Sequence, residues 1–297
     1  MDKAAVPEKR RRGRPRSTFV DEETATVRAL DRGIHLLRAL ATEGKATLTD
    51  LSLRVGMSAS TAHRPLTTLQ KNEMVEFQET TQQWLVGVEA YRVGSAFIQR
   101  NNLIEVGLHV LRRLVEDTGE TANLAIADKG DVVFLAQIET PNPIRAFFPP
   151  GTRAHMHASG IGKMLLAEMG RHEVDVILRE KGLPRFTANT LSSSNALLAE
   201  LDVIRRRGWS LDDEERFAGM RCIAAPIYDA HGKAVTGISI SGPAGRFSDA
   251  RVSEMAVKVK DAAAGKPSDT RPTANSRSGG ELRAMGPSAR NGERQQR

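Results

Sequence analysis

Between residues 27 and 71 the chain carries three short amphipathic stretches, separated by turns too brief to let them pack anywhere but on one another. Val27, Leu30, Ile34, Leu37 and Ala41 recur at steps of three and four, which predicts the buried face of a first helix closed by Gly44. Leu48 is read as a short strand and Thr49 as the N-cap of a second helix burying Leu51 and Val55. Gly56 makes a tight turn, and Ser58 is placed to cap a third helix, from Ala59 to about Lys71, with Ala62, Leu66 and Leu69 facing inward. Three helices joined in this way form a helix-turn-helix. Residues 74–79 and 84–86, on either side of Thr80, Thr81, Gln82 and Gln83, predict a hairpin in the position of a wing.

In such a motif the first turns of the last helix meet base edges in the major groove. Ser58, Ser60, Thr61, His63 and Arg64 occupy those turns and can all donate hydrogen bonds. No Asp or Glu lies between Ser58 and Lys71 to repel phosphate. The alternative is a docking or dimerisation module made of the same helices. Pro65 is discordant: it has no N–H, and its ring meets the Thr61 carbonyl, at a cost of about 3 kcal/mol in a helix interior. Either a kink or a separate first turn is expected there.

The net charge of +7 is unevenly spread: residues 1–20 carry +5 and residues 265–297 carry +4, leaving −2 between them. Phosphate attraction therefore rests on the ends and on local clusters. Residues 1–24 form a basic arm without apolar periodicity, expected to be disordered, as are residues 265–297. Within the arm, Arg12-Gly13-Arg14-Pro15 matches the core of an AT-hook, whose arginines enter a narrow minor groove; a solvated basic tail is the competing reading. Cys222 is the only cysteine, which excludes a disulfide framework and a cysteine-built zinc finger. No stretch approaches the roughly 20 apolar residues of a membrane span, and the chain opens on charge, so a cytoplasmic protein is expected.

Residues 88–104 have helical spacing with small residues at Gly94 and Ala96, a linker helix, and residues 105–264 alternate helices and strands as an α+β domain. A helix through Leu111 and Leu114 stops at Gly119, and Ala122, Leu124 and Ile126 alternate as a strand that turns at residues 128–130 and returns along 132–138. Leu197, Leu201 and Ile204 line a helix ending near Gly208, and strands 223–228 and 235–241 form a hairpin about His231 and Gly232.

Several blocks are more specific than periodicity: Arg28-Ala-Leu-Asp-Arg-Gly-Ile, Ser60-Thr-Ala-His-Arg-Pro-Leu-Thr-Thr-Leu, Thr118-Gly-Glu-Thr, Met156-His-Ala-Ser-Gly-Ile-Gly-Lys, Arg207-Gly-Trp, Asp213-Glu-Glu and Gly219-Met-Arg-Cys-Ile-Ala-Ala-Pro-Ile-Tyr-Asp. With them, residues 27–262 resemble the IclR family of transcription regulators, Pro65 standing where an apolar residue is usual. Arg145-Ala-Phe-Phe-Pro-Pro-Gly and Ile238-Ser-Ile-Ser-Gly-Pro resemble its glyoxylate-responsive branch. The resemblance implies a winged helix-turn-helix (25–87), the linker helix, and a GAF-like α/β effector-binding domain (105–264). It also implies a homodimer or dimer of dimers on palindromic double-stranded operator DNA, no catalysis and no cofactor. The implied effector is a small oxo-acid, glyoxylate first and a different small organic acid as the alternative, which is expected to change operator affinity through the linker. By matching motif positions, its pocket would use the backbone of Gly160 and Ile161 with Asp212, Cys222, Ser239 and Ser241.

The residue chemistry suits that pocket. Ser159 can cap a helix starting at Gly160, and glycines at 160 and 162 would let a carboxylate approach bare N–H groups at the positive helix end. A phosphate-binding P-loop does not fit, because His157 stands where glycine is needed and Met164 follows Lys163. Ser239 and Ser241 share one strand face, as an oxo-acid site or as two solvated serines. Cys222 is pocket wall or an ordinary small apolar residue. Asp212 would repel an anion unless it accepts from a hydroxyl, which a hydrated aldehyde offers; otherwise residues 212–215 are a solvated loop. His155 and His157 alternate without the further ligands a metal needs. A hydrolase built on Cys222, His157 and Asp212 is the enzymatic alternative, without a Cys/His signature.

Overall fold

The structure, a computed structural model, describes residues 27–100 and 103–266. The basic arm with Arg12 and Arg14, and the C-terminal tail beyond Lys266, lie outside the described residues. The chain divides into two units, residues 1–103 and 104–297.

The first unit runs α1 (Arg28–Glu43), β1 (Lys45–Thr47), α2 (Leu48–Arg54), α3 (Ala59–Lys71), β2 (Val75–Gln78), β3 (Gln83–Val86) and α4 (Val88–Arg100). Its three strands form an antiparallel sheet in the order β1-β3-β2, so Ala46, Trp84 and Phe77 lie side by side. The buried Trp84 ring meets Phe77 at 4.9 Å and closes the sheet over Leu36, Leu40, Leu51, Ala62 and Leu66. The α1 face is offset from the one periodicity predicts. Gly33, Leu36 and Leu40 are buried, whereas Val27, Leu30 and Ile34 are 66%, 64% and 40% exposed. The helix carries two apolar flanks that meet at Leu37, and spacing alone does not say which packs inward.

The second helix begins two residues earlier than expected, and Thr47, not Thr49, caps it. Thr47 Oγ1 accepts from the Asp50 N–H while the Asp50 carboxylate accepts from the Thr47 N–H, a reciprocal pair, whereas Ser52 Oγ donates to the Thr49 carbonyl instead. Leu48 accordingly belongs to the helix and not to a strand. Helix α3 runs unbroken through Pro65, so its first turn is not separate. The half-buried proline rests on α1 where Gly33 leaves room: a Cβ built at Gly33 would lie 3.8 Å from that of Pro65. Packing on α1 offsets the missing hydrogen bond.

The second unit runs α5 (Leu103–Thr118), β4 (Thr121–Asp128), β5 (Asp131–Ile138), β6 (Arg153–His155), α6 (Gly160–Glu168), α7 (Arg171–Lys181), α8 (Ser194–Arg207), β7 (Ser210–Asp213), β8 (Met220–Tyr228), β9 (Ala234–Pro243) and α9 (Asp249–Ala263). All six strands join one antiparallel sheet, β6-β5-β4-β9-β8-β7. Leu124, Ile223, Ile238 and Ile240 meet Leu111 and Leu114 of α5 and Met255 and Val259 of α9 in one core. Ala125, Phe134 and Ala224 meet Ile161, Met164 and Leu165 of α6 and Leu201 of α8 in another. The sheet is thus covered on both faces, which is why residues 121–125 are all buried where an alternating strand was expected. Among the described residues, no helix is long and apolar enough to cross a membrane.

Candidate functional site

Helix α3 and the hairpin after it present the first candidate surface. Ser58 Oγ accepts from the Thr61 N–H at 3.3 Å, donates to Thr61 Oγ1 at 2.8 Å, and lies 3.1 Å from Ser60 Oγ. These hydroxyls are occupied in fixing the helix start, and Thr61 is half-buried. Ser60, His63 and Arg64 are exposed on the same turns. Thr67 and Thr68 return their hydroxyls to the carbonyls of His63 and Arg64, leaving the Arg64 guanidinium without a partner among the described residues. At the wing tip Thr81 Oγ1 donates to Gln78 and Gln82 Nε2 to the Glu79 carbonyl, which tightens the turn.

The second candidate site follows from strand register. Across four strands Thr121, Ser241, Cys222 and Asp212 are direct neighbours in one row. The next row holds Gln137, Asn123, Ser239, Ala224 and Ser210. Over these rows sits the start of α6, where Ser159 Oγ accepts from the Gly162 N–H and Ser210 Oγ donates to the Gly160 carbonyl at 2.6 Å. Gly160, Ile161, Asp212, Cys222, Ser239 and Ser241 all line one pocket, walled also by Phe134, Phe148, Arg216 and Phe217, with about 460 Å³ of atom-free space partly open to solvent.

Sequence reading assigned the two glycines of α6 to ligand approach, but packing requires them. A Cβ at Gly160 would stand 2.8 Å from Cys222 Sγ, and one at Gly162 would stand 2.3 Å from the Met156 carbonyl oxygen. Their absence seats the helix end directly on β8 and on the 3-10 turn before it. Gly160 therefore lines the pocket with backbone alone, its N–H hydrogen-bonded to the Cys222 sulfur.

The serines are oriented by a buried amide. Asn123 Nδ2 donates to Ser239 Oγ at 3.3 Å and to Ser241 Oγ at 3.2 Å, while its Oδ1 accepts from Gln137 Nε2 at 2.7 Å. Each serine thus accepts from Asn123, and both hydroxyls also hydrogen-bond the Cys222 sulfur beside them. Neither Asn123 nor Gln137 figures in the sequence-based site; a polar residue amid the apolar run 122–126 was the available signal.

Asp212 lies in the edge strand β7, not in a solvated loop. Its Oδ1 accepts from the Glu215 N–H at 2.8 Å, and burial, with Glu215 nearby, pushes its carboxyl up to about 7. Behind it, buried Lys163 donates to the Leu211 carbonyl at 2.6 Å and pairs with Glu215. Cys222 is held differently from a nucleophile: burial first, then Asp212, pushes its thiol up to about 11, so it stays protonated. His157 Nε2 lies 3.0 Å from the Pro184 carbonyl, and burial lowers the pKa of both His155 and His157. Among the described residues, no three His, Cys, Asp or Glu side chains converge as metal ligands.

Comparison with known proteins decides the family. The IclR helix-turn-helix domain matches residues 29–79, and the C-terminal domain of the bacterial transcriptional regulator IclR matches residues 95–268. The chain belongs to the IclR family. It is 50% identical over 257 residues to the HTH-type transcriptional regulator BhcR of Paracoccus denitrificans, covering 86% of this chain and 92% of the relative. To the transcriptional repressor IclR of Escherichia coli it is 39% identical over 263 residues, 88% and 95% of the two chains. The crystal structure of Thermotoga maritima IclR superposes with a TM-score of 0.67 at 26% identity, over 80% of this chain and 96% of that one. IclR proteins are DNA-binding transcription regulators and not enzymes.

Proposed function

We propose that this IclR-family chain is an operator-binding regulator whose second unit senses a small 2-oxo acid, glyoxylate being the assigned effector. The observation that carries the reading is the row of Ser241, Cys222 and Asp212 beneath the N-terminus of α6. The N–H groups of Gly160 and Ile161 receive a carboxylate at the positive helix end. Ser239 and Ser241 donate to its oxygens, and Asp212 accepts from a hydroxyl of the hydrated aldehyde. Cys222 closes the floor. The site works in the cytoplasm, where the operator is.

For the DNA-binding unit, Ser58, Ser60, Thr61, His63 and Arg64 form the base-reading end, Ser58 and Thr61 mainly by fixing the backbone, while Arg12 and Arg14 of the arm enter the minor groove. Genomic footprinting with purified protein identifies the operator, and fluorescence anisotropy then measures affinity. Arg64→Ala is expected to weaken binding roughly 10- to 100-fold, as for loss of a good base contact. Unchanged affinity refutes that contact. Glyoxylate is expected to shift wild-type operator affinity; a shift with another organic acid but none with glyoxylate reassigns the effector.

A homodimer is the proposed binding unit, on a palindromic site. The stripe Val27, Leu30 and Ile34 on α1 is apolar and exposed in the single chain, and a second copy covers it. Mass photometry should show dimers or tetramers for the wild type and a shift to smaller species for Leu30→Glu/Ile34→Glu. No change in mass distribution removes this stripe as the interface.

A further inference from the structure

We infer that Arg216 determines which ligands the pocket accepts, by taking a carboxylate oxygen on its unpaired guanidinium nitrogen. This rests on the small-acid reading of the pocket and adds to it a side chain outside the α6 terminus and the serine row.

Two cationic side chains line the cavity, Arg216 and Arg221. Arg221 is already engaged: its Nε donates to Asp213 at 2.6 Å and its Nη1 to the Phe247 carbonyl at 2.5 Å. Lys163, the other nearby cation, is bound to Glu215 and to the Leu211 carbonyl. Arg216 differs. Its Nη1 is buried and has no hydrogen-bond partner. A buried guanidinium N–H left without an acceptor costs free energy that an incoming carboxylate restores.

The group is held in place without being consumed. Its guanidinium carbon lies 3.8 Å from the centre of the Phe186 ring and 5.4 Å from that of Phe217, contacts that use the flat face and leave the edge N–H groups available. Its backbone N–H, with that of Glu215, donates to the Asp212 carboxyl, so the strand residue of the pocket also anchors the turn that carries the arginine. Charge supplies the second argument. Asp212 and Glu215 are the acids at this end; Lys163 is ion-paired with Glu215 and reaches Asp212 only through its field. A ligand carboxylate beside Asp212 needs a further positive charge, and Arg216 is the cation on the cavity wall with a donor to spare.

The chemistry selected is a carboxylate over its uncharged counterpart of the same size. A planar fork reads two oxygens in one plane, which an aldehyde, amide or alcohol does not present with charge.

The test is calorimetric titration of the full-length protein with glyoxylate and pyruvate, with their uncharged counterparts glycolaldehyde and pyruvamide, and with acetate and propionate. Variants are Arg216→Gln, Arg216→Lys and Ser239→Ala/Ser241→Ala, each checked by thermal melting. For Arg216→Gln the expected result is a 10- to 100-fold loss in affinity for the carboxylates, little change for the uncharged counterparts, and partial recovery in Arg216→Lys. A merely structural arginine would weaken both ligand classes alike, and that outcome overturns the proposal. If the serine variant loses glyoxylate while Arg216→Gln binds it like the wild type, the small-acid reading stands and the Arg216 role falls. If the wild type ignores the oxo-acids but binds acetate or propionate through Arg216, the oxo-acid reading falls and the arginine role stands. Failure of every carboxylate to bind overturns both.

Discussion

Replacing Gly162 by alanine is expected to destabilise the effector unit by more than about 3 kcal/mol, a large effect for one methyl group. The added Cβ would lie 2.3 Å from the Met156 carbonyl oxygen and 2.4 Å from its Cα, so the clash is with backbone that cannot rotate away. Either α6 lifts from the sheet, uncovering Ile161, Met164 and Leu165, or the turn at Met156–Ala158 is remade. Both routes move the Gly160 and Ile161 N–H groups. The chain has two tryptophans, Trp84 in the first unit and Trp209 in the second, so a Trp84→Phe background reports the effector unit alone in urea titrations. Gly245→Ala is the control: no atom lies within 4 Å of its added Cβ, and a change within about 0.5 kcal/mol is expected. Equal midpoints for the two variants would show that α6 does not depend on this contact.

The second large effect is on pH dependence. Asp212 is raised from its ordinary value to about 7 in the folded chain, by burial first and by Glu215 second. The unfolded chain releases that proton near pH 4, so between about pH 4 and pH 7 the folded state holds a proton that the unfolded state lacks. Stability therefore falls as pH rises through this window, and the full cost, on the order of 4 kcal/mol, is present above it. Asp212→Asn keeps the acceptor for the Glu215 N–H and removes the charge. Thermal melts of the effector unit should show the variant melting higher than the wild type at pH 8, with the difference shrinking toward pH 5. A constant difference across that range would mean that Asp212 is already ionised in the folded protein.

Much of this arrangement was legible in the order of residues. Gly44, Gly56 and Ser58 mark the helix-turn-helix because a chain reversal and a free helix end each demand a particular residue type locally. What escaped depends on neighbours far along the chain. Both flanks of α1 are apolar, and only the positions of Trp84 and Leu66 decide that Leu36 and Leu40 turn inward. Strand β7 is four residues long and reads as an acidic loop, yet pairing Asp212 with Cys222 makes it the edge of the sheet. Asn123 was hidden by the apolar residues around it, and its role appears only when Ser239, Ser241 and Gln137 stand beside it in register. Arg216 had no motif of its own. Its meaning lies in what the neighbouring cations are already doing.

The end of α6 rests on the main chain of the turn before it and on β8, and Gly160 lines the pocket with backbone alone. Side-chain substitution cannot retune such a seat; it can only keep it or break it. The surrounding wall, Phe148, Phe217 and Arg216, is made of side chains on irregular segments and can vary without disturbing the helix. A regulator built this way can inherit a fixed anchor and acquire a new effector by exchanging the wall around it.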